Sequence, residues 1–172
     1  MLLARGVVLN ILPKGVHIMS QSTPIEIFFS YAHEDEGLRD QLAKQMRTLE
    51  RQRVISAWHD RRITPGKEWA GQIDQHLNTA RIILLLISTD FIDSNYCYDV
   101  ELTRAMQRHA TGEAHVIPII LRPCDWTGTP FAKLQALPRD AKPVRLWRNL
   151  DEAFLDIVKG IREVIKDIHA NP

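Results

Sequence analysis

The chain has 172 residues, 22 of them basic and 21 acidic, for a formal net charge of +1. Hydrophobic residues make up 45% and charged residues 25%, the profile of one globular domain able to bury its own core. That balance excludes the basic excess of a nucleic-acid binder and offers no electrostatic pull towards an anionic membrane.

Cys97 and Cys124 stand far apart and form no CxxC pair, which points to a reducing compartment and a cytoplasmic location. The seven histidines show no HxxxH spacing, so no metal site is expected. The first stretch, MLLARGVVLNILPKGVHIMS, is broken by Arg5, Pro13, Lys14 and Gly15 and is too short to span a bilayer. No small-residue cleavage pattern follows a clean apolar block. Residues 1–22 read as a flexible leader or upstream extension, with 1–18 lying upstream of a chain that begins at Met19. The ordered domain is expected over 23–170.

Taken in order, IEIFFSY (25–31) predicts a strand, and Leu38, Leu42, Met46 and Leu49 predict a helix over 34–51. RVISAWH (53–59) predicts a second strand, followed by a loop with Pro65 and Gly66 and a helix carrying Trp69, Ile73 and Leu77. RIILLLIS (81–88) has no alternation and reads as a strand buried on both faces. DFIDSNYCYDVEL then opens a helix that runs to about His109. HVIPIILR (115–122) predicts a fourth strand, whose Pro118 implies a bulge or an unpaired edge. After a long connection, KPVRLW (142–147) predicts a fifth strand. A last helix over 151–168 has Phe154, Leu155, Val158, Ile161, Val164, Ile165 and Ile168 on one face.

Strands alternating with helices imply a parallel sheet covered on both faces. The expected fold is an α/β, flavodoxin-like, five-stranded parallel sheet of order 2-1-3-4-5. Ligands in such sheets bind at the carboxyl ends of the strands, where successive crossovers diverge. Here Ser30-Tyr31-Ala32 at the end of strand one faces Ser88-Thr89-Asp90 at the end of strand three.

Glu101 in the following helix is the leading candidate for chemistry. The plainer alternative is a surface glutamate paired with Arg104. Tyr96 and Tyr98 equally suit the edge of a core, Cys97 a small buried hydrophobe, and Asp90 or Ser94 a helix cap. A receiver domain is excluded, because Ser30-Tyr31 and Trp147-Arg148 stand where it needs acids and a lysine. No GxxxxGK[ST], GxGxxG or GxSxG motif is present.

IFFSYAHEDE, WHDRRITPGKEW and LLLISTDFIDSNYCYDVEL together resemble a TIR domain of the bacterial branch. VIPIILRPCDW and GTPFAKLQALP continue the likeness, which covers about residues 25–169. Many TIR domains cleave NAD+ with a glutamate in the helix after strand three, following an aromatic-cysteine pair. The match falls on Tyr96-Cys97 and Glu101. In much of the family the glutamate comes three residues after the cysteine; here Val100 holds that place, Glu101 comes one later, and Asp99 is the neighbouring carboxylate. Tyr96 stands where the family often has tryptophan and still offers a ring to stack on a planar base.

The resemblance implies Glu101 as the catalytic residue. It places Ser30, Tyr31, Ala32, Trp58, Asp60, Arg61, Tyr96, Cys97 and Tyr98 around the substrate. NAD+ is the substrate, with no cofactor and no metal. It also implies self-association through TIR–TIR contacts, helped by the 59–66 loop, and a separate sensor protein, with no nucleic-acid or membrane partner. The expected role is a defence or signalling effector. Two other readings remain: a TIR module that only associates with other TIR domains, and another N-glycosidic reaction such as base exchange.

Overall fold

The computed structural model describes residues 23–58, 75–94 and 96–171, without the side chains of Trp58, Tyr96, Cys97 and Tyr98. The leader, Asp60, Arg61, the rest of the 59–66 loop and the helix start at Trp69 lie outside the described residues.

Among the described residues, four parallel strands form one sheet in the order β2-β1-β3-β4. They are β1 (Ile25–Tyr31), β2 (Ile55–Trp58), β3 (Ile82–Ile87) and β4 (His115–Ile120). All six residues of β3 are fully buried, as the unbroken apolar run requires of a central strand. The helices are α1 (Glu36–Arg51), the described helical segment α2 (75–79), α3 (Thr89–Asp93), α4 (Leu102–Ala110) and α5 (Leu150–Ala170). A π-helical segment, Tyr96–Glu101, leads straight into α4.

Two cores lie on the two faces of the sheet. On one, Ile27, Phe29, Leu84, Leu86 and Ile119 pack with Leu42 and Met46 of α1 and Phe154, Ile157 and Ile161 of α5. On the other, Phe28, Ile83, Leu85 and Ile120 pack with Leu77, Phe91, Leu102, Ala105 and Phe131. Alternation along β1 therefore puts Ser30 on the second face and Tyr31 on the first. Of the apolar face expected for α5, Leu155 departs and is exposed.

The α/β parallel fold is as expected, but the fifth strand is not formed. Residues Val144–Leu146 make a 3-10 turn instead. Pro143 just before it has no N–H to give a ladder. Arg145 N–H reaches the Leu121 carbonyl at 3.1 Å, and an isolated bridge joins Ile119 to Leu137. Val144 is still buried in the first core, which is the source of the strand-like pattern.

Pro118 makes no bulge, since β3 and β4 keep unbroken register from Ile82↔His115 to Ile87↔Ile120. Its carbonyl accepts the Leu137 N–H at 2.8 Å. The N–H that proline lacks would point to that same outer side, where no strand runs among the described residues. The start of β2 is also later than expected. Arg53, at φ 56°, and Val54 close the end of α1, with Val54 N–H bonded to the Leu49 carbonyl at 3.0 Å.

The helix expected after β3 is broken into α3, the π segment and α4. Its cap is Ser88, not Asp90 or Ser94: the Ser88 hydroxyl accepts Phe91 N–H at 3.1 Å. Ser94 ends α3 in an extended conformation.

Arg108 of α4, only 4% exposed, ties three elements together. It donates to the carbonyls of Leu77 and Ala80, each at 2.7 Å, and pairs with Glu113 at 3.3 Å. These bonds satisfy carbonyls at the end of α2 that have no helical partner. Arg108→Met should leave them unpaired in the interior and lower the unfolding free energy by about 2–3 kcal/mol. Urea denaturation of the two proteins checks this. Ser88→Ala removes the cap of α3 and should cost about 1–2 kcal/mol in the same assay; a cost near zero would show that the cap is dispensable.

Candidate functional site at the carboxyl ends of the strands

The chain leaves β1 for α1 on one face of the sheet and β3 for α3 and α4 on the other, so the carboxyl ends of β1 and β3 lie where successive connections diverge, the place a ligand crevice is expected in such sheets. Ser30 lies in β1, opposite Leu85 of β3, with its side chain on the face covered by the π segment and α4. Glu101 closes the π segment on that face. The Ser30 hydroxyl donates to Glu101 Oε2.

Both groups are buried. Ser30 has no exposure and Glu101 is 5% exposed. A carboxylate so far from water requires hydrogen-bond donors, and the serine hydroxyl is one. This geometry is not that of a solvated glutamate on a helix surface. Arg104, its expected surface partner, donates through Nε to Asn78 Oδ1 at 2.5 Å. Asp99, the neighbouring acid, is exposed.

The other expected residues divide. Ala32 is buried on the same face as Ser30 and Phe91. Tyr31 is on the opposite face, where the Arg39 guanidinium lies 4.7 Å from its ring centroid. The sheet therefore does not bring Tyr31 beside Glu101. Positions 96–98 belong to the π segment that ends in Glu101, and Trp58 ends β2 beside Phe28. The side chains at those four positions, and all of Asp60 and Arg61, lie outside the described residues.

A charged network that the sequence reading did not assemble frames the crevice. Asp35, 2% exposed, follows β1 and accepts a hydrogen bond from the Ser88 hydroxyl beyond β3. Arg122, just beyond β4, approaches Asp35 Oδ1 through Nε at 2.9 Å and also pairs with Asp90. The Nε approach is an ion pair rather than an aligned hydrogen bond, for that N–H has no acceptor in line. The hydrogen bond to Asp90, with the nearby charge of Asp35, raises the pKa of Arg122 above its ordinary value. The only sequence signal was position, since each of these residues follows the end of a strand.

No three His, Cys, Asp or Glu side chains gather as a metal site among the described residues. No helix among them is long and apolar enough to cross a membrane.

Residues 27–158 match the family described as TIR domain. The chain is 61% identical over 137 residues to the uncharacterised protein y4lF of Sinorhizobium fredii (strain NBRC 101917 / NGR234), covering 80% of this chain and 42% of that protein. It is 26% identical over 137 residues to Toll-like receptor 4 of Pinctada imbricata, covering 73% of this chain and 15% of that protein. The chain thus spans less than half the length of these curated relatives. The crystal structure of the TIR domain of the Toll-related receptor TRR-2 from Hydra magnipapillata superposes with a TM-score of 0.57 at 25% identity, covering 79% of this chain and 97% of that one. Sequence match and fold agree, and the chain belongs to the TIR domain family, which includes both NAD-cleaving and scaffold members.

Proposed function

We propose that this TIR domain is an NAD+ hydrolase that cuts the bond between nicotinamide and ribose, releasing nicotinamide and ADP-ribose or a cyclised ADP-ribose. The observation that carries the reading is the buried carboxylate of Glu101, held by the Ser30 hydroxyl at the carboxyl ends of β1 and β3.

The chemistry asks for one such group. The C–N bond breaks with its electron pair going to the cationic nicotinamide ring, which leaves neutral and needs no general acid. Positive charge develops on the ribose. A fixed carboxylate in a water-poor wall stabilises that oxocarbenium-like state far better than a solvated one. Water, or a nucleophile within ADP-ribose, then adds to the ribose carbon and gives up its proton. Ser30 is a positioning residue here, because it fixes the carboxylate without touching the reacting bond.

Glu101→Gln keeps the shape and the Ser30 contact but removes the charge. It should lower NAD+ turnover by about 10²–10³-fold, the scale of losing a main electrostatic stabiliser, with an unchanged thermal midpoint. Asp99→Asn, at an exposed position, should leave turnover close to wild type. Chromatography of nicotinamide released from NAD+ measures both, and the opposite ranking would transfer the role to Asp99.

TIR domains self-associate, and a site among several loops is completed most readily by a neighbouring copy. Activity as a signal-producing or toxic effector then depends on assembly. Specific activity should rise with protein concentration, in step with particle size. High activity in a strictly monomeric sample would argue against assembly control. A protein that assembles but never consumes NAD+ would be a purely associating module.

A further inference from the structure

We propose that the pocket at the amino-terminal end of the sheet is a second ligand site, which binds a small organic carboxylate through Arg81. Neither its residues nor its ligand depend on the NAD+ reading.

A pocket of about 630 Å3 opens where β1 and β3 begin and the last turn of α5 passes. That volume falls within the roughly 300–1,000 Å3 of small-molecule sites. Pro24, Ile25 and Ile168 give it an apolar wall, and Glu26, Thr79 and Arg81 a polar one. Glu26 stands before Ser30 on the same strand, about 13 Å away along β1. The pocket and the Glu101 crevice therefore lie at opposite ends of the sheet.

Arg81 is the group left unanswered there. It is half-buried, and among the described residues its Nε is buried without a hydrogen-bond acceptor. Glu26, the acid in the lining, is committed elsewhere. One of its oxygens pairs with His76, and the other accepts the Thr79 hydroxyl at 2.6 Å. The charge of Arg81 is felt by its surroundings. After burial and the charge of His109, it helps to hold His115 below the ordinary imidazole pKa, with Asp167 acting in the opposite direction.

A cation in a partly apolar wall, short of acceptors, is unfavourable by itself. A carboxylate supplies both the opposite charge and two acceptor oxygens matched to the guanidinium fork. The apolar wall in turn selects a carboxylate that carries a hydrocarbon body, since a wholly polar anion leaves that surface uncovered. A guanidinium beside the last turn of α5 also suits the helix dipole. That role alone would make Arg81 a purely structural residue, and the two roles separate on substitution.

The test is calorimetric titration of the full chain with 2-naphthoate, one carboxylate on a planar apolar body, and with uncharged 2-naphthamide. Naphthoate should bind one-to-one with Kd at or below about 1 mM, the scale for a ligand of that size. The amide on the wild type, and naphthoate on Arg81→Met, should each bind at least about tenfold more weakly, the scale of a charge-assisted hydrogen bond. Arg81→Met keeps an apolar stem and removes an unpaired donor, so its thermal midpoint should equal or exceed that of wild type. Absence of saturable binding to the full chain, equal binding of acid and amide, or unchanged affinity in Arg81→Met overturns the proposal. So does a midpoint several degrees lower in Arg81→Met, which would make the arginine structural. On the wild type, naphthoate should shift the backbone amide NMR signals of Ile25, Glu26 and Ile168; shifts confined to Ser30 and Glu101 overturn the site whether or not the variant folds.

Discussion

A carboxylate 5% exposed inside an α/β domain is a costly feature, and most of the architecture around Glu101 is what makes it tolerable. The Ser30 hydroxyl that meets it is itself fixed by the ladder between β1 and β3, where Ser30 stands opposite Leu85. That ladder is rigid because β3 is buried along its entire length. On the other side, Glu101 is held by α4, whose Leu102, Ala105 and Arg108 are packed away. Neither partner can retreat into solvent without disturbing a core. A charge held this way undergoes little reorganisation when opposite charge develops beside it, which is the physical content of electrostatic preorganisation.

Burial on that scale has to be offset elsewhere, and the two ends of the sheet share the task differently. Near the amino-terminal end, Arg108 satisfies loose carbonyls and stitches α2, α4 and the approach to β4 together. At the carboxyl end, Arg122 spans two aspartates, one from the β1 side and one from the β3 side. Exposed ion pairs contribute little, but Asp35 is buried and also receives Ser88, which caps α3. One chain of contacts therefore joins the turn after β1, the turn after β3 and the residue beyond β4. The crevice borders are a linked frame rather than independent loops.

The sequence made the layered architecture legible because hydrophobic pattern and strand burial are tightly coupled. The unbroken IILLLI run could only be a central strand, and the spacing of Leu38, Leu42, Met46 and Leu49 could only be the inner face of a helix. Pattern failed where burial occurs without a ladder. KPVRLW looks like a strand because Val144 is buried, yet Pro143 and an exposed Leu146 leave it as a turn. Topology alone set the ends of β1 and β3 facing each other, but the direct contact between Ser30 and Glu101 is visible only in the structure. Tyr31 could not be excluded by topology, but period-two alternation assigns it to the opposite face from Ser30, and the structure follows that rule. Arg122 carried no signal beyond its place just after β4, because its partners are distant in sequence.

The break in the helix after β3 is where local and tertiary demands meet. A straight α-helix from Asp90 to His109 would satisfy propensity. It would also have to keep Phe91 in the core and Glu101 at the crevice while passing through both by a single regular rotation. The segment instead ends one short helix at Ser94, winds Tyr96–Glu101 as π, and resumes α geometry at Leu102. Each end is then free to take the phase its own contacts require. Regular α winding is given up just before Glu101, and Asp99 and Val100 there face outward. Propensity is a weak prior for each residue. A packed phenylalanine at one end and a buried carboxylate at the other are stronger constraints, and the backbone between them yields.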